Sequence, residues 1–339
     1  MSVLKSGTAS ATGAPALMRR GAGTVLVAGG NGFVGSAVVE ELLTRESAGG
    51  APAVRVLSRR PPRSSHRHRV SHVPADLAQP GALRGLCQGV VSVVHTATYV
   101  GRDAALCETV NHHGTLALLE EARRAGVEHF VYVSTASVYG AGPHRGADEY
   151  ALTPNPASPA SSSRLKAEQA VLASGGTVLR PHLVHGVGDV WFIPTIVRLL
   201  TLVAAWPSGA TSHSSVIAVR DLARCVASLV TAPESADRAR VYHAAHPRPV
   251  SMEQVLLALH HRLGLPLPRR VSLPEHRARL ARAATHLSDH QYTLLTQDHW
   301  YDSDALWARI GEVPELGFEA RLAEAARWYT AHLARCAYQ

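Results

Sequence analysis

The feature that most restricts the fold of this chain is a glycine-spaced loop near its start. Residues 25–35 read Val-Leu-Val-Ala-Gly-Gly-Asn-Gly-Phe-Val-Gly, so Gly29, Gly32 and Gly35 follow an apolar strand and precede a helix-like stretch. In such a loop the glycines allow a tight turn, a close backbone approach to a pyrophosphate and close packing of helix on strand. The amino terminus of the helix adds N–H donors for the phosphates. The loop therefore predicts a dinucleotide-binding site.

Apolar runs that alternate with helix-like stretches continue through the first half of the chain. The candidate strands are residues 24–28, 54–57, 70–73, 90–95, 129–134 and 177–180. Between them apolar residues recur at helical spacing, as at Val38, Leu42 and Leu43. Strands joined by helical crossovers form parallel sheets with helices on both faces. The predicted fold class is therefore α/β, with a doubly wound parallel sheet of the Rossmann type.

The pattern changes after Arg180, and the change predicts a smaller, mostly helical second domain. Residues 193–205 read as an apolar helix, residues 215–231 return to a strand followed by a helix, and residues 241–244 resemble another short strand. We expect a disordered leader over residues 1–22, a nucleotide-binding domain over 23–180 and 215–245, and a substrate-binding domain over 181–214 and 246–339.

The composition is that of a globular protein and argues against several classes of partner. The formal charge is +8, but the basic runs carry no interleaved aromatic residues, so we expect no nucleic acid. No apolar run could span a bilayer, and the first 22 residues lack the hydrophobic block of a signal peptide. The four cysteines have no metal-like spacing. We expect a cytoplasmic protein with no membrane partner, disulfide or metal site.

The end of the second candidate strand bears on the choice between the two nicotinamide dinucleotides. A site for NAD offers an acidic side chain to the ribose 2′-hydroxyl, but here the strand is followed by Ser58, Arg59 and Arg60. These residues can hold a 2′-phosphate through charge-assisted hydrogen bonds, which favours NADP(H). The alternative is that the arginines belong to a solvated basic run that continues to Arg69.

Further motifs follow the glycine loop in order. They are Asp76-Leu77, Val94-His95-Thr96-Ala97, Val110-Asn111-His112-His113-Gly114-Thr115, Val131-Tyr132-Val133-Ser134-Thr135-Ala136-Ser137-Val138-Tyr139-Gly140 and Leu179-Arg180-Pro181-His182-Leu183-Val184-His185-Gly186. In this order they resemble the extended short-chain dehydrogenases/reductases, which include nucleotide-sugar epimerases, dehydratases and ketoreductases. The resemblance implies a cofactor site made of Gly29, Asn31, Gly32, Phe33, Val34, Gly35, Ser58, Arg59, Arg60, Asp76, Leu77, Thr96, Ala97, Thr98, Ser134, Pro181, His182, Leu183 and Val184.

The chain departs from this family where a Tyr-x-x-x-Lys motif should supply the proton-donating phenol. Residues 158–166 read Ser-Pro-Ala-Ser-Ser-Ser-Arg-Leu-Lys and contain no tyrosine. One register places Ala160 and Arg164 at the motif positions, and the other places Ser162 and Lys166 there. By resemblance Thr135 orients the reacting carbonyl, and Arg164 or Lys166 contacts the nicotinamide ribose.

Three interpretations of the missing phenol remain open. A ketone beside a phenolic hydroxyl could bring its own acid, in a pocket that binds it and excludes water. Alternatively a replacement acid acts, with His95, Tyr99, His182 and His185 as candidates, or the protein is a non-catalytic NADP(H)-sensing regulator. The residues expected to line the substrate pocket are Tyr99, Ser137, Tyr139, His185, Trp191, Phe192 and Trp206.

The segment over residues 179–194 and the missing tyrosine together resemble a reductase of an antibiotic pathway. This resemblance implies an NADPH-dependent ketoreductase that reduces a ketone of an angucyclinone-like aromatic polyketide to an alcohol. A nucleotide-sugar 4-ketoreductase or epimerase is the alternative enzyme. The expected partner is a small-molecule ketone, and the expected state is a monomer or homodimer.

Overall fold

The elements of the fold come from a computed structural model that describes residues 23–47, 53–62, 66, 68–209, 211–231, 240–283 and 289–336. The predicted leader lies outside these residues. The strands are β1 Thr24–Ala28, β2 Ala53–Ser58, β3 Val70–Pro74, β4 Val90–His95, β5 His129–Val133, β6 His144–Ala147, β7 Thr177–Pro181, β8 Leu183–His185, β9 Ala205–Pro207, β10 His213–Ser214, β11 Val216–Ala218, β12 Val241–Ala244, β13 Val250–Ser251, β14 Arg269–Val271 and β15 His299–Tyr301. The helices are α1 Phe33–Ser47, α2 Ala104–Cys107, α3 Gly114–Arg124, α4 Pro159–Ala173, α5 Phe192–Val203, α6 Val219–Thr231, α7 Met252–Leu263, α8 Leu273–Arg282, α9 Asp289–Thr296, α10 Asp304–Ile310 and α11 Phe318–Cys336.

The central element is a parallel sheet whose strands stand in the order β12-β7-β5-β4-β1-β2-β3. The predicted doubly wound fold is confirmed, and the candidate strands match β1 to β5, β7 and β12 to within a residue at each end. From β1 the chain passes first to β2 and β3 on one side and then to β4 on the other. Such a reversal opens a crevice at the carboxyl ends of the strands, where ligands bind.

Helices cover both faces of this sheet. On one face α1 and α6 pack together over an apolar core that includes Val27, Val56 and Leu222. On the other face α3 and α4 cover a core that includes Leu26 and Leu118. Burial on both faces explains why the strands read as nearly continuous apolar runs.

The boundary between the domains differs from the prediction in one helix. Residues 246–339 were all expected in the substrate domain, but Leu306 and Trp307 of α10 are buried in the core beneath α1 and α6. The indole Nε1 of Trp307 also donates a hydrogen bond to the carbonyl oxygen of Ala245 at 2.9 Å. The chain therefore returns to the nucleotide domain before it enters α11.

The smaller domain has a core of its own, built from α5, α7, α8 and α11. Helix α5 ends at Val203 rather than at the predicted residue 205, because Ala204 adopts a left-handed conformation with φ of 49° and β9 begins at the next residue. Short strands pair as β13-β10-β15-β6 and as β14-β9. Among the described helices, none is long and apolar enough to cross a membrane.

Candidate active site

A cavity of about 830 Å³ lies at the carboxyl ends of the central strands and reaches the smaller domain. All the residues predicted to hold the cofactor line this cavity, together with Thr135 and Arg164. Of the predicted substrate residues, Tyr99, Trp191 and Phe192 line it as well. The structure thus brings side chains from the predicted motifs, which are widely separated in sequence, to a single cavity.

The glycine loop approaches the neighbouring chain too closely for side chains. Gly29 has a φ of +84°, and a Cβ there would lie 2.6 Å from the backbone nitrogen of Ala97. A Cβ on Gly35 would lie 2.2 Å from the carbonyl oxygen of Gly29, because the first turn of α1 packs against the loop. The backbone is therefore bare where a pyrophosphate would approach it, and the geometry fits a dinucleotide.

The adenine end of the cavity contains Ser58, Arg59, Arg60 and Asp76. Arg59 and Arg60 are exposed, and the sequence between β2 and β3 contains no acidic residue. The hydroxyl of Ser58 donates a hydrogen bond to the carbonyl oxygen of Arg60 at 2.7 Å. Its hydrogen is therefore not directed at a ligand, which differs from the predicted direct contact, whereas the two arginine side chains remain at the cavity.

The nicotinamide end lies where β5 ends. Thr135 begins a short helical turn over Ala136–Tyr139, and its Oγ1 accepts a hydrogen bond from the Ser137 backbone N–H at 3.1 Å. Its hydroxyl hydrogen can therefore donate to a ligand. The Oγ of Ser134 is buried and has no hydrogen-bond partner among the described residues. A bound group would satisfy it, which supports the fit to a nicotinamide.

The two possible motif registers place their basic residues differently. Arg164 lines the cavity, and its Nη2 donates to the carbonyl oxygen of Val133 at 3.1 Å. Lys166 does not line it; this residue is exposed, and its Nζ donates to Glu108 Oε1 at 3.0 Å. The predicted contact of Lys166 with the ribose is therefore not supported. Lys166 lies two residues after Arg164 on α4, and residues two apart on a helix point to different sides of it. The register with Ala160 presents its basic residue to the cavity.

Helix α4 carries no tyrosine. Tyr132 lies close to Arg164, but its ring is fully buried behind the wall and burial raises the pKa of its hydroxyl to about 12. Tyr99 is the one tyrosine among the described residues that line the cavity. Its backbone N–H is fixed by Asn111 Oδ1 at 2.7 Å.

Two of the histidines proposed as replacement acids are enclosed. His95 is buried and its Nε2 contacts Thr115 Oγ1 at 2.9 Å, while burial lowers its pKa to about 3. His185 is buried beside the Phe318 ring, and burial lowers its pKa to about 3 as well. Both are neutral near pH 7 and neither lines the cavity. Of the four candidates, His182 and Tyr99 remain at the cavity.

Four predicted substrate residues lie elsewhere in the structure. Trp206 is buried in the core of the smaller domain against His276, and Tyr139 turns inward, where its hydroxyl contacts His243 Nε2 at 2.7 Å. His185 packs in the interior, and Ser137 uses its backbone N–H to hold Thr135. The resemblance assigned each of them by its place in the chain, and none of the four lines the cavity.

Other lining residues carried no recognisable sequence signal. Among them are Val100, Asp189, Thr195, Gln291, Leu294 and Leu295. The buried carboxylate of Asp189 accepts the N–H groups of Trp191, Phe192 and Ile193 at 2.8 to 3.0 Å and the Tyr329 hydroxyl at 2.9 Å. Burial raises its pKa despite these bonds. The residue therefore fixes the start of α5, and a search for catalytic spacing would have missed it.

A group of possible metal ligands stands outside the cavity. The side-chain ligand atoms of Glu108, His112 and His113 lie within 4.8 Å of one another. The Glu108 carboxylate is already bound by the Lys166 ammonium group and by His112 Nδ1 at 2.7 Å. None of these three residues lines the cavity.

The fold and the cavity define a Rossmann-type protein with a site for a nicotinamide dinucleotide. The defining features are the glycine loop, whose backbone has no room for side chains, and the polar groups after β5. The model for the NAD dependent epimerase/dehydratase family matches residues 25–245, and the chain belongs to this family. Membership makes it an oxidoreductase or epimerase of the NAD(P)-dependent type, with a nicotinamide nucleotide as cofactor.

Among curated proteins, two similar relatives differ in how much of the chain they cover. "Uncharacterized protein y4nG" of Sinorhizobium fredii is 30% identical over 173 residues, which is 49% of this chain and 42% of that protein. The chain thus matches less than half the length of this relative. The 2-alkyl-3-oxoalkanoate reductase of Stenotrophomonas maltophilia is 26% identical over 333 residues, which is 88% of this chain and 97% of the reductase.

Solved structures with the same fold include two from bacteria. The dTDP-glucose 4,6-dehydratase DesIV of Streptomyces venezuelae, solved with NAD and TYD bound, has a TM-score of 0.70 at 23% identity and covers 92% of this chain and 98% of its own. WbmH of Bordetella bronchiseptica, solved with NAD⁺, has a TM-score of 0.73 at 20% identity. The match covers 91% of this chain and 99% of WbmH. These likenesses show the fold.

Proposed function

We propose that this chain is an NADPH-dependent ketoreductase that reduces a ketone of an apolar aromatic substrate, of the angucyclinone polyketide type, to an alcohol. The chain belongs to a family of NAD(P)-dependent enzymes, and a relative that matches nearly its whole length is named a 2-alkyl-3-oxoalkanoate reductase. The likeness of residues 179–194 to an antibiotic-pathway reductase, and in particular to the angucyclinone ketoreductase of simocyclinone biosynthesis, suggests the polyketide.

The observation that carries the proposal is the distribution of charge along the cavity. The smaller domain lines it with Trp191, Phe192, Thr195, Gln291, Leu294 and Leu295, together with Asp189. Neither lysine nor arginine occurs among these lining residues, and the Asp189 carboxylate is occupied by N–H groups and a hydroxyl. A nucleotide-sugar would bring a diphosphate that needs cationic partners, whereas a large aromatic ketone needs apolar area.

The adenine end supports NADP(H) as the cofactor. Arg59 and Arg60 are exposed at the cavity, and no acid follows β2 to meet a ribose 2′-hydroxyl. Two guanidinium groups next to a 2′-phosphate would form charge-assisted hydrogen bonds with it. The same position would offer NAD(H) no matching carboxylate.

The residues at the nicotinamide end bind and orient the ketone. Bound NADPH would supply the hydride to the carbonyl carbon. Thr135 can donate its hydroxyl hydrogen to the carbonyl oxygen, and Trp191 and Phe192 offer apolar surface to an aromatic substrate. Arg164 contacts the ribose in this proposal, which is supported by its place at the cavity and by the hydrogen bond from its guanidinium to the Val133 carbonyl oxygen.

The proton for the developing alkoxide is proposed to come from the substrate. A phenolic O–H beside the ketone already hydrogen-bonds the carbonyl oxygen, transfers its proton as the C–H bond forms, and is reprotonated from water. The enclosed positions of His95 and His185, and the absence of a phenol from the described part of α4, favour this source. His182 and Tyr99 are the competing protein donors at the cavity.

The proposal is tested by NADPH oxidation with three ketones. We expect turnover of an aromatic ketone with an adjacent phenol, a decrease of about 100-fold or more for its methyl ether, since a positioned acid is worth roughly 10²- to 10⁴-fold, and no turnover of a nucleotide keto-sugar. Equal turnover of the phenol and the ether would reject the substrate as proton source. Preferred turnover of the keto-sugar would support the nucleotide-sugar alternative, and tight NADPH binding with none of the ketones reduced would support a regulator.

A further inference from the structure

Asn31, within the glycine loop, ties that loop to the turn after β2. Its Nδ2 donates to Ser58 Oγ at 3.1 Å, to the carbonyl oxygen of Arg60 at 2.6 Å and to that of Pro61 at 3.0 Å. One amide thus connects the backbone where a pyrophosphate would lie to the turn that carries Arg59 and Arg60. The sequence motif alone gives Asn31 no such role.

His72 of β3 supports the same turn from the other side. Its Nε2 lies 3.2 Å from Ser58 Oγ and 3.2 Å from the carbonyl oxygen of Ser58. The Ser58 hydroxyl already gives its hydrogen to the carbonyl oxygen of Arg60. Its oxygen can therefore only accept from His72, which requires the hydrogen of the imidazole to be on Nε2.

We propose that Asn31 and His72 are positioning residues that hold the turn over residues 58–61 in place and thereby set the preference for a cofactor with a 2′-phosphate. This inference rests on the proposed use of NADP(H). Arg59 and Arg60 have exposed side chains, and ordering such chains on binding costs conformational entropy. A turn fixed before the ligand arrives removes the backbone part of that cost.

The effect is specific to the 2′-phosphate because the turn faces that group. A cofactor with a free 2′-hydroxyl gains little from the guanidinium groups, so loosening the turn changes its affinity little. Ser58, which the sequence suggested as a direct phosphate ligand, acts here as the acceptor that joins Asn31 and His72. Its role in selectivity is then indirect.

The test compares the binding of adenosine 2′,5′-bisphosphate and of 5′-AMP to the full-length protein by isothermal titration calorimetry. His72→Phe removes the donor and keeps a ring, His72→Gln keeps a donor at similar reach, and Ser71→Ala alters the exposed neighbour on β3 as a control. Asn31→Ala probes the opposite side of the turn. Circular dichroism and thermal unfolding establish that each variant is folded.

We expect the wild type to prefer the bisphosphate and His72→Phe to reduce that preference about three- to tenfold, as expected for one hydrogen bond, with 5′-AMP affinity unchanged. His72→Gln and Ser71→Ala should retain the preference, and Asn31→Ala should reduce it. An unchanged preference in His72→Phe and Asn31→Ala would overturn the positioning role alone. No preference in the wild type would overturn the proposed cofactor, and the positioning role with it. If His72→Phe does not fold, the result for Asn31→Ala decides.

Discussion

The two ends of the cavity differ in charge and in exposure. At the adenine end, exposed Arg59 and Arg60 stand on a turn that hydrogen bonds hold in place. At the nicotinamide end, Thr135 and the buried Ser134 lie near an apolar wall, and Arg164 is held by a backbone carbonyl. Exposed charges attract an ionic ligand, but salt screens this attraction. Electrostatic interactions of buried groups are screened much less and are strong at short range. We therefore expect the first end to govern cofactor affinity and the second to govern rate.

The largest expected effect comes from a change that disables both ends. In Gly35→Val, the added Cβ would lie 2.2 Å from the carbonyl oxygen of Gly29, so the loop or the start of α1 must move. We expect NADPH affinity to fall by at least about 100-fold, or about 2.7 kcal/mol, measured by fluorescence titration. Gly81→Ala, where an added Cβ meets nothing within 4 Å, is the control. Retained affinity in Gly35→Val would refute the close approach.

A second prediction separates the two ends and decides between the motif registers. Arg164→Ala removes a guanidinium at the nicotinamide end, and we expect kcat/KM to fall about 10- to 100-fold, the size of a charge-assisted hydrogen bond. Lys166→Ala, whose ammonium group pairs with Glu108 outside the cavity, should change it less than about twofold, as is usual for exposed pairs. Steady-state kinetics at a saturating ketone concentration measures kcat/KM for NADPH in both variants. The reverse order of effects would support the register with Ser162.

The third prediction concerns the adenine end alone. Replacing Arg59 and Arg60 together with alanine should weaken NADPH binding about tenfold, leave kcat unchanged and abolish most of the salt dependence of KM. Arg69→Ala is a matched control, because Arg69 belongs to the same basic run but donates to the carbonyl oxygen of Leu43 at 2.6 Å. Equal effects of both substitutions would favour the solvated-run interpretation.

The smallest effect at neutral pH concerns the histidines enclosed near the nicotinamide end. The pKa of His95 and of His185 is lowered to about 3 by burial, whereas an unfolded histidine titrates near 6.5. Between these values the unfolded chain binds more protons, so the free energy of unfolding should fall as pH decreases below about 6.5 and be unaffected by these groups above it. Urea unfolding at several pH values measures the slope. His185→Phe should reduce this slope.

The parts of the molecule that short-range patterns determine were predicted well. The central strands are apolar and β-branched on both faces, and Gly29 and Gly35 stand where the backbone permits no side chain, so the fold and the close packing of the glycine loop could be read from contiguous residues. The end of α5 could not be predicted in this way, because Ala204 adopts a left-handed conformation that is unfavourable for a residue with a side chain. The sequence carries no signal for that stop.

The residues that line the substrate end of the cavity were predicted less well, because tertiary contacts decide which side chains point into the cavity. Tyr139 and Trp206 were assigned from their places in the sequence, but their side chains pack into two separate buried clusters. Leu294 and Leu295 arrive from α9, more than a hundred residues after the last cofactor motif, and nothing in their local sequence distinguishes them. Aromatic content near a motif therefore indicated a pocket but could not assign its lining.

The Asp189 carboxylate joins the start of α5 to Tyr329, near the end of the chain. Tyr329 is fully buried, and its hydroxyl also accepts the backbone N–H of Gly186 at 2.8 Å. An engineer who exchanges the segment over residues 186–193 to alter substrate choice would thus have to transplant a matching residue on α11. We therefore expect the segment over residues 186–193 and α11 to be exchangeable between relatives only as a pair.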